Sequence, residues 1–342
     1  MGRNHTVKAW QLKAFGRENL VLNDVPQPTP GPGEALIRIS SVSLNYRDKL
    51  LYDGNYNPHL EFPMTQVADA VGEIVALGPE TTRFKIGDRV VTNYCTRWVD
   101  GHPTGKETLY TLGNIIPGAL AEYLVLTEQA LALAPSYLTN DEAAALPCAG
   151  LTAWYSLVEK GGLSPNQTVL LQGTGGVSLF GLQIASALGA TTIVTSSSDE
   201  KLERAKTLGA THTINYNKSP DWENEALALT NKQGVDQILE VVGGPNVTRS
   251  IKAIKPQGQI SIIGIIDGFD ATIPLFGLIQ KHGVLRGISV GPRRALEDML
   301  RKFDELKLHP VIDSVHSFAD ARKAFDRLEQ GAFGKIVIRV RD

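Results

Sequence analysis

Cysteine is scarce in this chain. Only Cys95 and Cys148 occur in 342 residues, which excludes a disulfide framework and points to a reducing compartment, the cytoplasm. Long apolar runs are missing too. None reaches the roughly 20 residues needed to cross a bilayer, and no apolar signal-peptide core follows the first residues. Neither sign of charge is in excess: 34 Lys and Arg stand against 36 Asp and Glu, a formal net charge of −2. A nucleic-acid partner or a membrane surface is therefore not expected. Low-complexity tracts and solenoid-like periods are absent. The remaining class is a globular chain with room for two domains.

Glycine is plentiful, with 33 residues, and three of them carry the most information. In V-L-L-Q-G-T-G-G-V-S, the strand-like run Val169–Leu171 ends in Gly173, Gly175 and Gly176. Helical spacing then begins at Val177 and continues through Phe180, Gly181, Ile184 and Leu188. A tight turn opening onto a helix N-terminus suits a dinucleotide pyrophosphate. The last position of G-x-G-x-x-G is Ser178, which puts the closest helix–strand contact in question. A glycine-rich turn also forms for steric reasons alone. The context continues the pattern: Gly189 stops the helix and Thr191–Thr195 reads as a strand. A helix from Asp199 buries Leu202, Ala205 and Leu208 and stops at Gly209. Thr211–Asn215, Val235–Val242 and Gln259–Ile265 read as further strands, so the fold class is α/β with a doubly wound parallel sheet.

Composition separates that region, 149–290, from residues 1–148. There, short β runs lie between Pro/Gly turns at Gln27–Gly33, Gly54–Pro58 and Gly101–Gly105, as in a small antiparallel barrel. Residues 291–342 return to the first domain with one long amphipathic helix, Asp320–Glu329, and a strand, Lys335–Val340. A cleft between the two domains is the expected ligand site.

Four segments in this order resemble the medium-chain dehydrogenase/reductase superfamily: Ser43–Asp48 (S-L-N-Y-R-D), Gly72–Val90, Leu146–Trp154 (L-P-C-A-G-L-T-A-W) and the turn at Gly173–Ser178. Gly334–Val337 fits as well. The resemblance implies a GroES-like β-barrel with a Rossmann domain inserted before its C-terminal end. The metal-dependent branch places Cys where this chain has Asn45, and a His-Glu pair near Ala68–Asp69. Cys148 alone remains, and one sulfur cannot hold an ion that needs three protein ligands. The lobe at 91–116 offers only Cys95 against the four cysteines of a structural zinc site, and His59 and His102 form no pair. No metal is expected. The chain is thus similar to the zinc-independent, quinone-oxidoreductase-like branch, which implies hydride transfer from NADPH to a quinone or an α,β-unsaturated carbonyl. The alternatives are an NAD(P)-dependent alcohol or aldehyde dehydrogenase, an enoyl thioester reductase, or, from another class, a non-catalytic NADP-binding structural or sensor protein.

Site residues follow from both readings. Gly173, Thr174, Gly175, Gly176 and Val177 form the pyrophosphate turn. At the end of the second strand, Ser196 stands where NAD enzymes carry an acid. With Ser198 and Lys201 it suits a 2′-phosphate, so NADP is expected, with NAD possible. The alternative is a solvated helix start capped by Asp199. The resemblance places Tyr216 by the adenine ribose, Thr152 near the nicotinamide, and Lys335 at the phosphates from the other domain. Tyr216 as a surface aromatic and Lys335 as an exposed lysine are the rival readings. Val242, Gly243, Ile263 and Gly264 stand at strand ends, where cofactor lies in this architecture. Asn45 is either a partner of substrate carbonyl or cofactor, or a turn asparagine. Tyr56 is the candidate proton donor, as in enoyl reductases of the superfamily, or else a wall aromatic. Val284–Ser289 reads as an edge strand joining a homodimer, unless the loop at 266–282 covers it.

Overall fold

A computed structural model describes residues 5–341. It divides into two compact units, one running to Leu151 and resuming at Val290, the other Thr152–Ser289.

The first unit begins with β1 (Thr6–Leu12), β2 (Leu20–Pro26), β3 (Glu34–Ser43), α1 (Tyr46–Tyr52), β4 (Met64–Thr65), β5 (Asp69–Leu77), β6 (Arg89–Thr92), β7 (Tyr123–Thr127), β8 (Leu131–Leu133) and α2 (Asn140–Ala144). A widened helical passage, Leu146–Gly150, leads into α3 (Leu151–Trp154). The second unit holds β9 (Thr168–Gln172), α4 (Gly176–Ala187), β10 (Thr191–Ser196), α5 (Asp199–Thr207), β11 (His212–Asn215), α6 (Trp222–Leu229), β12 (Val235–Glu240), α7 (Asn246–Ala253), β13 (Ile254–Ile262), α8 (Leu275–Gln280) and β14 (Val284–Gly287). The chain returns through α9 (Arg293–Leu306), β15 (Ile312–Ser317), α10 (Ala321–Glu329) and β16 (Lys335–Arg339).

In the second unit the strand order is β11-β10-β9-β12-β13-β14, with every pairing parallel. Helices cover both faces of such a sheet, so its central strands are apolar throughout rather than alternating. Leu170, Ile193, Ile238 and Ile260 are buried at its centre with Trp222, Val247 and Ile251 from the flanking helices. The glycine stops work as expected: Gly189 and Gly209 adopt φ of +78° and +103° just past α4 and α5. The close helix–strand contact is displaced from where the fingerprint puts it. Ser178 is buried and its hydroxyl donates to Gln172 O at 2.6 Å. Three residues on, a Cβ at Gly181 would lie 2.7 Å from Leu239 and 2.8 Å from Leu171, so Gly181 is the glycine that lets α4 approach β9 and β12.

The first unit carries a three-stranded sheet, β2-β1-β4, and a seven-stranded one ordered β15-β16-β3-β5-β6-β8, with β7 also on β3. The expectation of one helix in the return segment falls short. α9 precedes α10 and buries Ala295, Leu296, Met299, Leu300 and Phe303, an i, i+3, i+4 stripe. Among the described residues no helix is long and apolar enough to cross a membrane.

Candidate functional site

In the first unit, three strands assemble a polar cluster. β16 pairs antiparallel with β3 through Val337↔Ser43, and two further steps along that register set Lys335 across from Asn45. β5 pairs on the other side of β3, with Asp69 opposite Ser43. The Lys335 ammonium, 2% exposed, donates to Leu44 O at 2.7 Å and to Asn45 Oδ1 at 2.6 Å, and lies 3.4 Å from Asp69 Oδ2. Asn45 Nδ2 donates to Asp69 Oδ2 at 2.9 Å. The amide is therefore held at both ends, oxygen toward a cation and nitrogen toward an acid. Burial pushes the Asp69 carboxyl up to about 6, against the opposing pull of Lys335 and Asn45. Lys335 is therefore not the exposed lysine of the rival reading: it faces inward as a buried partner of Asn45 and Asp69. The reason is the register that aims it at a buried carboxylate.

Beside this cluster, the buried Arg47 guanidinium stacks over two rings, 5.3 Å from the centroid of Tyr56 and 5.0 Å from that of Tyr94. It donates to Leu112 O at 2.7 Å and lies 3.6 Å from Asp48 Oδ1. Asp48 Oδ2 accepts from Asn45 N at 2.8 Å, tying α1 to the same cluster. Tyr56 is 39% exposed, Tyr94 only 3%, and their hydroxyls meet at 2.9 Å. Tyr94 was not singled out in the sequence; a lone tyrosine after a strand gives no local signal.

These residues do not suit a zinc ion. Asn45 replaces a thiolate, Ala68 has no donor, and the Lys335 ammonium already occupies the space between Asn45 and Asp69. No group of three or more His, Cys, Asp or Glu suited to a metal exists among the described residues.

The second unit fits a dinucleotide. Gly175 has ordinary φ of −80°, and an added Cβ there would meet nothing within 4 Å. Neither internal packing nor backbone angle requires glycine at that position, so the open space above the turn is what it serves. Gly173, at φ +74°, faces the same kind of open space. Gly176 and Val177 begin α4, whose first turn has no side-chain cap. Its N–H groups remain for an anion. Thr174, in the middle of the turn, is buried.

At the end of β10 the cap is Ser198, not Asp199: Ser198 Oγ accepts from Lys201 N at 3.3 Å. Asp199 instead accepts from Asn215 Nδ2 at 2.6 Å and pairs with Lys218. Hydrogen bonds from Lys218 and Asn215 hold its carboxyl below the usual range. Its charge is thereby offset where a phosphate would suffer repulsion. Ser196 is buried and accepts from Ser198 N at 3.3 Å, while Ser197 is exposed. Tyr216 N donates to Ser196 O, and its ring is half exposed. Thr152 is buried in α3.

The strand ends converge on a residue that the sequence reading passed over. Glu240, fully buried at the end of β12, accepts from Val242 N and Gly243 N at 3.0 Å each and from Gln172 Nε2 at 2.9 Å. Ser250 Oγ and Asn246 Nδ2 donate to it as well. Its backbone oxygen accepts from Ile263 N at 2.9 Å and Gly264 N at 3.1 Å. Through its side chain this residue ties the turn strand to the end of β12, and through its backbone oxygen it holds the end of β13. The available signal was a lone acid closing the apolar run I-L-E-V-V.

Comparison with known proteins agrees with this geometry. The family described as "Alcohol dehydrogenase GroES-like domain" matches residues 31–136, and "Zinc-binding dehydrogenase" matches 176–305. The zinc in the second name is not matched by the donor set described above. A zinc-type alcohol dehydrogenase-like protein of Schizosaccharomyces pombe is 40% identical over 324 residues, 93% of each chain. A chloroplastic quinone-oxidoreductase of Triphysaria versicolor is 30% identical over 333 residues, 92% of each. A Sinorhizobium meliloti crystal structure, provisionally described as an alcohol dehydrogenase, superposes with a TM-score of 0.92 at 45% identity, covering 99% of this chain and 100% of that one.

Proposed function

Since the chain belongs to the medium-chain dehydrogenase/reductase superfamily, and is an oxidoreductase with a nicotinamide cofactor, we propose that it is a zinc-independent, NADPH-dependent reductase of quinones or α,β-unsaturated carbonyls. The observation that carries this reading is the Lys335–Asn45–Asp69 cluster standing where a metal would need thiolate and imidazole donors. Without a Lewis acid, the acceptor must bring its own polarisation, as a conjugated carbonyl does. The cofactor supplies the hydride when bound. The protein's part is to orient and to move a proton. Asn45 has two amide N–H donors, and one is engaged by Asp69. The other is available to a substrate carbonyl oxygen, and the Lys335 ammonium on Oδ1 polarises the amide toward donation. Tyr56, half exposed, supplies the proton.

Steady-state turnover of quinones, enones, aldehydes and alcohols with NADPH and NADH tests this directly. Reduction of quinones or enones is expected; alcohol oxidation faster than either would overturn it. Tight nucleotide binding without any turnover would instead favour the non-catalytic reading. Metal analysis is the companion test. Purified protein is expected to hold well under one zinc per chain and to keep its activity in chelator. Stoichiometric zinc with chelator inactivation would reverse the assignment.

The reading includes a homodimer built at β14, the edge of the parallel sheet. Val284 on that edge is exposed, and Leu275, Phe276 and Ile279 of α8 are 65%, 73% and 67% exposed. The segment that would shield the edge therefore exposes an apolar face of its own, which a second copy would cover. Leu285 packs on its own core, so Val284 and Ile279 are the positions to change. Light scattering at micromolar concentration should give a dimer or a larger assembly, and Val284→Lys with Ile279→Lys a folded monomer. A monomeric wild type would refute it.

A further inference from the structure

Beside Tyr56, two residues of the first unit that the reaction as described so far does not use form an arrangement with it. Tyr56 and Tyr94 share a hydroxyl–hydroxyl contact of 2.9 Å, and the Arg47 guanidinium lies over both rings. The two phenols are not equivalent. Tyr94 is 3% exposed and Tyr56 is 39% exposed. Burial drives the Tyr94 hydroxyl well above its usual range, so Tyr94 keeps its proton and can only lend it as a hydrogen bond. The phenol able to part with a proton, and to regain one from water, is Tyr56.

We propose that Tyr94 and Arg47 are positioning residues for Tyr56, the buried hydroxyl donating into the Tyr56 oxygen and the guanidinium offsetting the negative charge that forms there. This rests on the reading of Tyr56 as proton donor. Hydride addition to the β-carbon of a conjugated carbonyl sends an electron pair to the oxygen and leaves an enolate. The Tyr56 O–H bond then breaks and its proton passes to the enolate. The phenolate left behind accepts from Tyr94 and faces the Arg47 cation at the ring. Water returns the proton. Arg47 is prepared for that service: its Nε and Nη2 are buried without hydrogen-bond partners, and Asp48, its nearest acid, stands 3.6 Å off rather than in a bidentate pair. Its charge is therefore only partly spent within the ground state.

A double-mutant cycle on the intact protein reads this out, with an enone substrate and saturating NADPH. Tyr94→Phe keeps the ring under Arg47 and removes only the hydroxyl. It should lower kcat about tenfold, the worth of one hydrogen bond to a developing charge, and leave the KM for NADPH unchanged. The solvent deuterium isotope effect on kcat should rise, because proton release becomes harder. In a Tyr56→Phe background the same substitution should cost nothing more. Arg47→Lys, which keeps the charge but not its planar contact with the rings, should also slow kcat only while Tyr56 is present. If Tyr56→Phe leaves kcat intact, the proton-donor reading itself falls. If Tyr56→Phe slows the enzyme but Tyr94→Phe costs the same in both backgrounds, Tyr94 is merely structural and this inference alone is overturned.

Discussion

Glu240→Gln should loosen the cofactor unit and weaken nucleotide binding together. The carboxylate accepts from two backbone N–H groups and from Gln172, Ser250 and Asn246. An amide in its place has one acceptor atom and turns its own donors against some of these. At least two buried donors then lose their acceptor, at roughly 1–3 kcal/mol each, for a total of about 2–6 kcal/mol. Few single changes away from the apolar core reach that size. Because Gln172 precedes the glycine turn and Val242–Gly243 follow the end of β12, the loss falls on the surface that would receive the nicotinamide nucleotide. Denaturant unfolding followed by tryptophan fluorescence, with nucleotide titration beside it, measures both effects. A stability within about 0.5 kcal/mol of wild type would show that the hydrogen bonds around Glu240 are dispensable.

The second large effect concerns the choice between NADPH and NADH. On the proposed NADPH preference, Lys201→Ala should remove one charge-assisted contact to the 2′-phosphate and cost about 1.5–3 kcal/mol, roughly ten- to hundredfold in NADPH affinity. Ser196→Asp should act through the opposite sign: a carboxylate at the end of β10 repels the phosphate and accepts from ribose hydroxyls, moving preference toward NADH. The geometry refines the expectation. Ser196 faces inward onto Ser198 N, so its own hydroxyl contributes little, while Ser197 is exposed. Lys218 belongs to this corner too, since its pairing with Asp199 removes a nearby repulsion. Lys218→Ala should therefore weaken NADPH more than NADH. Equal wild-type affinities for the two nucleotides would contradict the preference.

Much of the cofactor unit could be read from the sequence. Strand and helix periods, the glycine turn at 173–176 and the stops at Gly189 and Gly209 are set by residues within a turn or two of one another. Short-range sterics and apolar spacing are written in consecutive residues. Even there, the contact glycine proved to be Gly181, because helix–sheet distance depends on which side chains of β9 and β12 lie beneath, and in the return segment the pattern marked α10 but not α9. The polar cluster around Asn45 is a different matter. The resemblance points to Asn45 and Tyr56, but their partners are not legible in the sequence. Lys335 reaches Asn45 from 290 positions away and Asp69 from 266, through the registers of β16, β3 and β5. Tyr94 meets Tyr56 across 38 positions. Such pairings follow from which strands lie side by side and in what register, a choice made by burial of whole faces. The sequence by itself determined a dinucleotide fold, because its turn and its periods are local. Only the tertiary structure decided that a lysine ammonium lies against Asn45 and Asp69, that a buried arginine sits over two tyrosine rings, and that one glutamate ties the strand ends together, because these contacts depend on which strands and loops lie side by side.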